Sequence, residues 1–221
     1  MRKSDGLDMA ESYVESLGDG LELTDGSLSL RVDFTDMLPR LRQDRLSHEL
    51  LVRAAKVKNL NSRPIAIDAT AGLGEDSLLL AAAGFYVHMY EKDARVFALL
   101  EDAMSRALNY PELAVYVERM ELEKVDSRDA LATLAFTPEI IYLDPMFPAR
   151  KKSAAVKKKF QLLHQLALND EDAIGLLNTA IAVRPRKIII KRPLKGPLLG
   201  DIKPSYSIVG KAIRYDCIVF A

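Results

Sequence analysis

From Pro64 onward short apolar runs alternate with helix-like stretches, and no other feature of the 221-residue sequence restricts its fold so tightly. Residues 65–69 are a brief apolar run that ends in a glycine-containing turn, and a helical segment starts at Asp76. A second strand is expected over 85–90, a helix over 94–108, a third strand over 120–125, a fourth over 140–143 and a fifth over 187–191. Residues 207–209 and 214–220, on either side of Gly210, read as a closing antiparallel pair. Strand–helix alternation of this kind predicts an α/β domain, a doubly wound Rossmann-like parallel sheet covered by helices on both faces.

The upstream region follows other rules. Residues 21–34 alternate apolar and polar on both sides of Asp25-Gly26, a pair that tolerates the positive φ angles of a tight hairpin turn. Residues 40–57 place Leu41, Leu46, Leu50, Leu51, Ala54 and Val57 near helical spacing, with Arg40, Arg42, Arg45 and Arg53 on other faces. The expected division is a small hairpin-plus-helix appendage over 1–60 and the α/β domain over 61–221. A lone Cys217 excludes an intramolecular disulfide, and His48, His88 and His164 show no metal-ligand spacing, so no metal is expected. The first residues are polar and acidic, and no apolar run reaches membrane-spanning length, which makes the cytoplasm the expected compartment and a membrane an unexpected partner. Net charge is +0, yet residues 150–159 hold Arg150, Lys151, Lys152, Lys157, Lys158 and Lys159 with no acid among them.

Open parallel sheets bind ligands beyond the carboxyl ends of their strands, so the residues that follow each strand are the candidates for chemistry. After the first strand comes Asp68-Ala-Thr-Ala-Gly72-Leu-Gly74-Glu75-Asp76, whose glycines let the backbone turn sharply and come close to a ligand, with a helix N-terminus aimed at the same place. Asp68 can also simply buttress that turn. Glu91, 17 residues beyond Gly74, ends the second strand, where a carboxylate can accept hydrogen bonds from both hydroxyls of a ribose. Asp126-Ser127 ends the third strand and is placed to meet an adenine edge. A nicotinamide dehydrogenase would want a third glycine where Ser77 stands.

After the fourth strand comes Asp144-Pro145-Met146-Phe147-Pro148, close to the Asp/Asn-Pro-Pro-Tyr/Phe motif of enzymes that methylate exocyclic amines of nucleobases. Such an amine is a poor nucleophile because its lone pair is delocalised into the ring. Acceptors on the Asp144 side chain and the Pro145 carbonyl can hold its two N–H groups, and Phe147 can stack on the base. A cationic loop beginning at Arg150 would neutralise a nucleic-acid backbone through Lys151, Lys152, Lys157 and Lys158, with Lys191 and Arg192 facing the same groove. A strand-end pair such as Lys191-Arg192 can equally face solvent. His88 and Cys217 fall within strands and read as core or sheet-face residues.

With these residues in view, the sequence resembles the ribosomal RNA small-subunit methyltransferase J family. The resemblance rests on DATAGLGEDS at 68–77, YEKD at 90–93, LDPMFP at 143–148 with the following KKSAAVKKK, IIIKRP at 188–193 and RYD at 214–216. It covers residues 64–221. It implies a class I methyltransferase that moves a methyl group from S-adenosylmethionine to N2 of a guanosine near the 3′ end of small-subunit (16S) rRNA. The implied partner is structured RNA, either the rRNA or the ribosomal subunit. The implied cofactor contacts are Glu75, Asp76, Glu91, Lys92, Asp126, Ser127 and Asp144. The chain departs from the family's usual pattern at Glu75 and Lys92, where arginine is usual, at Asp126, where serine is usual, and over 35–48, where the family has a glycine-rich basic segment. Two rival readings stand beside it: another nucleic-acid amino-methyltransferase, acting on DNA for instance, and a non-catalytic S-adenosylmethionine-binding protein on the same scaffold.

Overall fold

The computed structural model describes residues 12–145 and 170–220. A three-stranded antiparallel sheet comes first: β1 (Tyr13–Leu17), β2 (Gly20–Thr24) and β3 (Ser29–Leu30). The expected hairpin is present, with Leu23 opposite Leu30 and Thr24 opposite Ser29. Asp25 supports its turn by accepting from the Ser27 and Leu28 amides at 2.8 and 2.7 Å. The strand β1 was not expected, because the YVESL sequence is almost wholly exposed and shows little hydrophobic alternation.

The helix expected over 40–57 is broken into α1 (Leu38–Leu41), α2 (Gln43–Leu46) and α3 (Leu50–Ala54). Arg42 (ψ 139°) and Glu49 (ψ 127°) are extended and interrupt the helical path. The reversal lets Arg40 and Glu49, nine residues apart, form a two-point ion pair at 2.9 and 2.8 Å. Helical spacing found the apolar residues but not the breaks: Leu41, Leu51 and Ala54 are all buried in one core.

The α/β part follows as β4 (Ile65–Asp68), α4 (Glu75–Ala82), β5 (Tyr86–Tyr90), α5 (Ala94–Ala107), α6 (Pro111–Val117), β6 (Met120–Glu123), α7 (Ser127–Ala132), β7 (Ile140–Leu143), α8 (Asp170–Val183), β8 (Lys187–Pro193), β9 (Tyr206–Val209) and β10 (Ile213–Val219). The sheet order is β6-β5-β4-β7-β8-β10-β9. All neighbours are parallel except β10, which runs antiparallel to β8 and β9. The α/β class and the closing antiparallel pair expected from sequence are therefore present. The chain winds outward from β4 to β6 and then returns to lay β7 on the other side of β4. That reversal is the topological switch point, and it opens a crevice between the carboxyl ends of β4 and β7.

Burial explains why each strand lies where it does. Ile140, Ile141, Tyr142 and Leu143 are all buried, as expected for a central strand covered on both faces. Ile140 and Tyr142 join the core shared with α3, α4 and α5, whereas Ile141 and Leu143 join the core beneath α7 and α8. Helix α5 buries Val96, Leu99, Leu100, Ala103 and Ala107 on one stripe, and Asp93 caps it by accepting from the Arg95 and Val96 amides. The N-terminal strands pack against that helix: Asp102 accepts from the Leu21 amide at 3.1 Å, and Leu23, Leu30, Val32, Phe34 and Met37 enter the same core. Cys217 is buried within β10, in keeping with the core position read from sequence.

Candidate active site

The switch-point crevice widens into a cavity of about 610 Å³, within the range of drug-sized ligand sites. Its floor is the turn after β4. Gly72 (φ 52°) and Gly74 (φ 75°) take left-handed backbone conformations there, and Gly74 caps α4. Beneath them Asp68 is 1% exposed. Its two oxygens accept from Ser77 Oγ at 2.5 Å and from the Thr70 amide at 3.0 Å. Burial pushes this carboxyl up to about 7, against the pull of those hydrogen bonds. With both oxygens engaged below the surface, Asp68 buttresses the turn rather than reaching the cavity with a free carboxylate.

One wall is the end of β5. Glu91 accepts from the Gly72 amide at 3.2 Å and the Asp93 amide at 2.8 Å, so one carboxylate braces the glycine turn and borders the cavity. Burial raises its carboxyl above the ordinary value despite these bonds. Beyond β6, Asp126 caps α7 by accepting from the Arg128 amide at 2.9 Å and lies 3.6 Å from Lys92 Nζ. Partial burial pushes Asp126 up, but the Arg128 hydrogen bonds and charge outweigh it and leave this carboxyl below its usual range. Ser127 Oγ donates to the Ala69 carbonyl at 2.6 Å and ties α7 to the end of β4.

The opposite wall holds a charge network. Lys191 Nζ lies 2.7 Å from Asp76 Oδ2 and 2.9 Å from Asp144 Oδ2. Tyr142 donates its hydroxyl to Asp76 at 2.6 Å, and Thr70 Oγ1 accepts from the Asp144 amide at 2.7 Å. Burial opposes the Lys191 charge, but the two carboxylates dominate and hold the ammonium well above the usual lysine range. At Asp144 burial pushes the carboxyl up and Lys191 pulls it down, and it stays above the ordinary value.

Of the residues singled out in the sequence, Asp68, Gly72, Gly74, Glu75, Asp76, Glu91, Lys92, Asp126, Ser127, Asp144, Pro145 and Lys191 all border this one cavity. Two of the six expected nucleic-acid cations are placed differently from the expectation. Lys191 is held inside the site between two carboxylates. Arg192 is 2% exposed, and its Nε and Nη2 donate to the Pro197 carbonyl at 2.9 and 2.6 Å. The physical reason is that β8 runs on to Pro193, so successive side chains alternate between faces instead of both leaving the strand end. Phe147, Lys151, Lys152, Lys157 and Lys158 lie outside the described residues. Sequence reading missed Arg40, Tyr142 and Tyr215, which also line the cavity. Counting back two residues from Asp144 would have found Tyr142 on the same face of β7, whereas nothing in the sequence signals Arg40. The structure also brings together His88, Glu121 and Glu123, whose ligand atoms lie within 4.8 Å of one another on β5 and β6. The sequence hid this cluster because it forms across two strands, and none of the three borders the cavity.

The donor set discriminates between ligands. A pyrophosphate-binding turn leaves its helix N-terminus open to an anion. Here the first turn of α4 carries Glu75 and Asp76, and among the described residues eight carboxylates line the cavity against four cationic side chains. Such a surface suits a ligand with cationic sulfonium and ammonium groups and a ribose diol, and it fits S-adenosylmethionine better than a dinucleotide.

Comparison with known proteins gives the same answer. A SAM-dependent methyltransferase family profile matches residues 10–220. The ribosomal RNA small subunit methyltransferase J of Thioalkalivibrio sulfidiphilus is 40% identical over 210 residues, spanning 91% of this chain and 82% of the relative. Its namesake in Pseudomonas aeruginosa is 38% identical over 216 residues, 95% of this chain and 82% of that one. The crystal structure of a SAM-dependent methyltransferase from Neisseria gonorrhoeae superposes with a TM-score of 0.76 at 30% identity, covering 98% of this chain and 86% of the other. Magnesium protoporphyrin IX methyltransferase from Synechocystis, solved with bound SAM, shares the fold at 15% identity and a TM-score of 0.51, over 87% of this chain and 86% of that one. With S-adenosylmethionine as its cofactor and a class I methyltransferase fold, the chain belongs to the ribosomal RNA small subunit methyltransferase J family.

Proposed function

We propose that this enzyme transfers the methyl group of S-adenosylmethionine to the exocyclic N2 of a guanosine in small-subunit (16S) rRNA. The observation that carries the reading is the position of Asp144: its carboxylate ends the central strand β7 and borders the acid-lined cavity at the switch point. The names of relatives at 36–43% identity supply the acceptor class. In this reading Glu91 receives the ribose hydroxyls, Asp126 and Ser127 meet the adenine, and Glu75, Asp76 and Lys92 border the rest of the cofactor. The cofactor supplies an activated methyl group, so positioning is the main task left to the protein.

The Asp144 carboxylate and the Pro145 carbonyl accept the two N–H groups of the amine. That steers the nitrogen toward a tetrahedral form with its lone pair aimed at the methyl group. The proton released after transfer leaves to water. Phe147 stacks on the base, and Lys151, Lys152, Lys157 and Lys158 neutralise RNA phosphates. These five assignments rest on sequence position alone. The ribosomal subunit is the proposed partner and the cytoplasm the proposed compartment. Among the described residues no helix is long and apolar enough to cross a membrane.

The test is transfer of tritium from labelled S-adenosylmethionine to small-subunit particles and naked rRNA, both from cells lacking the protein, followed by nucleoside analysis. Label in N2-methylguanosine is expected, and cofactor binding with no label in any RNA would overturn the reading. A companion prediction concerns Glu91. Glu91→Ala removes both the ribose acceptor and the brace on the Gly72 amide, so cofactor affinity should fall by about 10- to 100-fold. Calorimetric titration checks it, and an unchanged Kd would remove Glu91 from the cofactor site.

A further inference from the structure

We propose that Lys191 is a positioning residue for methyl transfer, its ammonium spanning Asp76 and Asp144 so that Asp144 meets the acceptor amine as an anion in one fixed orientation. The inference rests on the reading of Asp144 as the amine acceptor and adds a residue to it. Lys191 reaches the site from β8, with Nζ 2.7 Å from one carboxylate and 2.9 Å from the other. Among the described residues it is the cation in ion-pair contact with Asp144.

The other titratable groups around Asp144 cannot replace it. Asp76, on the first turn of α4, favours the protonated form of Asp144 by like-charge repulsion, and Asp68, at the end of β4, is itself pushed toward its neutral form by burial. Tyr142 on β7 spends its hydroxyl on Asp76, and burial keeps both Tyr142 and Tyr215, the latter from β10, protonated well beyond neutrality. Arg40 borders the cavity from α1, but its guanidinium is engaged by both oxygens of Glu49. Without Lys191, two carboxylates would share one partly buried space with no cation between them, and such pairs retain a proton near neutrality. A protonated Asp144 presents a donor where the amine requires an acceptor, so turnover should depend on the lysine most strongly at low pH.

The experiment is the pH dependence of kcat for the wild type, Lys191→Gln and Lys191→Arg, with small-subunit particles as acceptor. Alongside it, the side-chain carboxyl of Asp144 in the wild type is titrated by 13C NMR, using Asp144→Asn for assignment. Lys191→Gln should lose about 100-fold in kcat at about pH 6.5 and recover to within about tenfold of wild type by about pH 9. Lys191→Arg, which keeps the charge, should retain the wild-type profile within about tenfold at every pH. A Lys191→Gln profile parallel to the wild type would overturn the proposal. So would an Asp144 carboxyl that is protonated at about pH 7 in the wild type, a readout that stands even if Lys191→Gln does not fold. Should the wild type methylate no RNA, the acceptor reading fails and this proposal with it, whereas an active wild type with a parallel Lys191→Gln profile overturns the role of Lys191 alone.

Discussion

Asp144→Ala is expected to lower kcat by about 10³-fold while leaving the fold intact, the magnitude that follows when an enzyme loses a preorganised polar group at its reacting centre. The fold should survive because little of it depends on this side chain. The Asp144 backbone amide is held by Thr70 Oγ1 whatever follows Cβ, and Lys191 retains Asp76 as a partner at 2.7 Å. A cation with one carboxylate remaining is not an orphan, so the usual penalty for breaking a buried pair is largely avoided. Asp144→Asn separates the two properties of the residue. It keeps an oxygen that can accept from the amine but loses the charge, and an intermediate loss of about tenfold is expected. Tritium transfer under saturating cofactor measures both losses of activity, and thermal melting checks that the fold is intact. Full activity in Asp144→Ala would refute the assignment, and a collapsed melting transition would show that the residue is structural.

The legible and illegible parts of this molecule divide along physical lines. Residues 140–143 could be read as a central strand because a strand buried on both faces must be apolar throughout, and the glycine turn because positive φ angles favour one residue type. Strand ends could be read as a site because the topology of parallel sheets fixes where ligands go. Regions where hydrogen bonding within a short segment sets the path were harder to read. The breaks between α1, α2 and α3 lie at the extended Arg42 and Glu49 and bring Arg40 and Glu49 into an ion pair, which no periodicity encodes. Lys191 and Arg192 show the same limit at single-residue scale. As adjacent cations they invite one common role, yet the pleat sends one into the site and buries the other against the Pro197 carbonyl. Glu75 and Asp76 gained meaning only when seen around a cavity, where their charge separates a cationic ligand from a pyrophosphate.

Gly74→Ala should be among the most destabilising single-methyl additions in the site, costing about 3 kcal/mol, whereas Gly72→Ala should cost about 1 kcal/mol. Both glycines have positive φ, so both substitutions carry backbone strain of about 1–2 kcal/mol. What separates them is the space beyond. A methyl group on Gly72 would meet nothing closer than the Thr70 carbonyl at 3.7 Å, an ordinary contact. On Gly74 it would stand 2.6 Å from Leu100 Cδ1 and 3.0 Å from Phe34 Cζ. Leu100 and Phe34 are both buried, so relief requires the core to move, with overpacking costs of about 1–3 kcal/mol. Urea unfolding of the two variants tests this, and equal losses of stability would show that strain rather than packing governs the turn. The contrast also explains how the residues before β4 bear on chemistry. Phe34 precedes α1, which carries Arg40 to the cavity wall, and its ring packs on the glycine that caps α4, whose first turn carries Asp76 to Lys191. A methyl group at Gly74 should therefore disturb the packing of Phe34, the cofactor turn and the acceptor network together, and its loss of activity should exceed that of Gly72→Ala even where both variants remain folded.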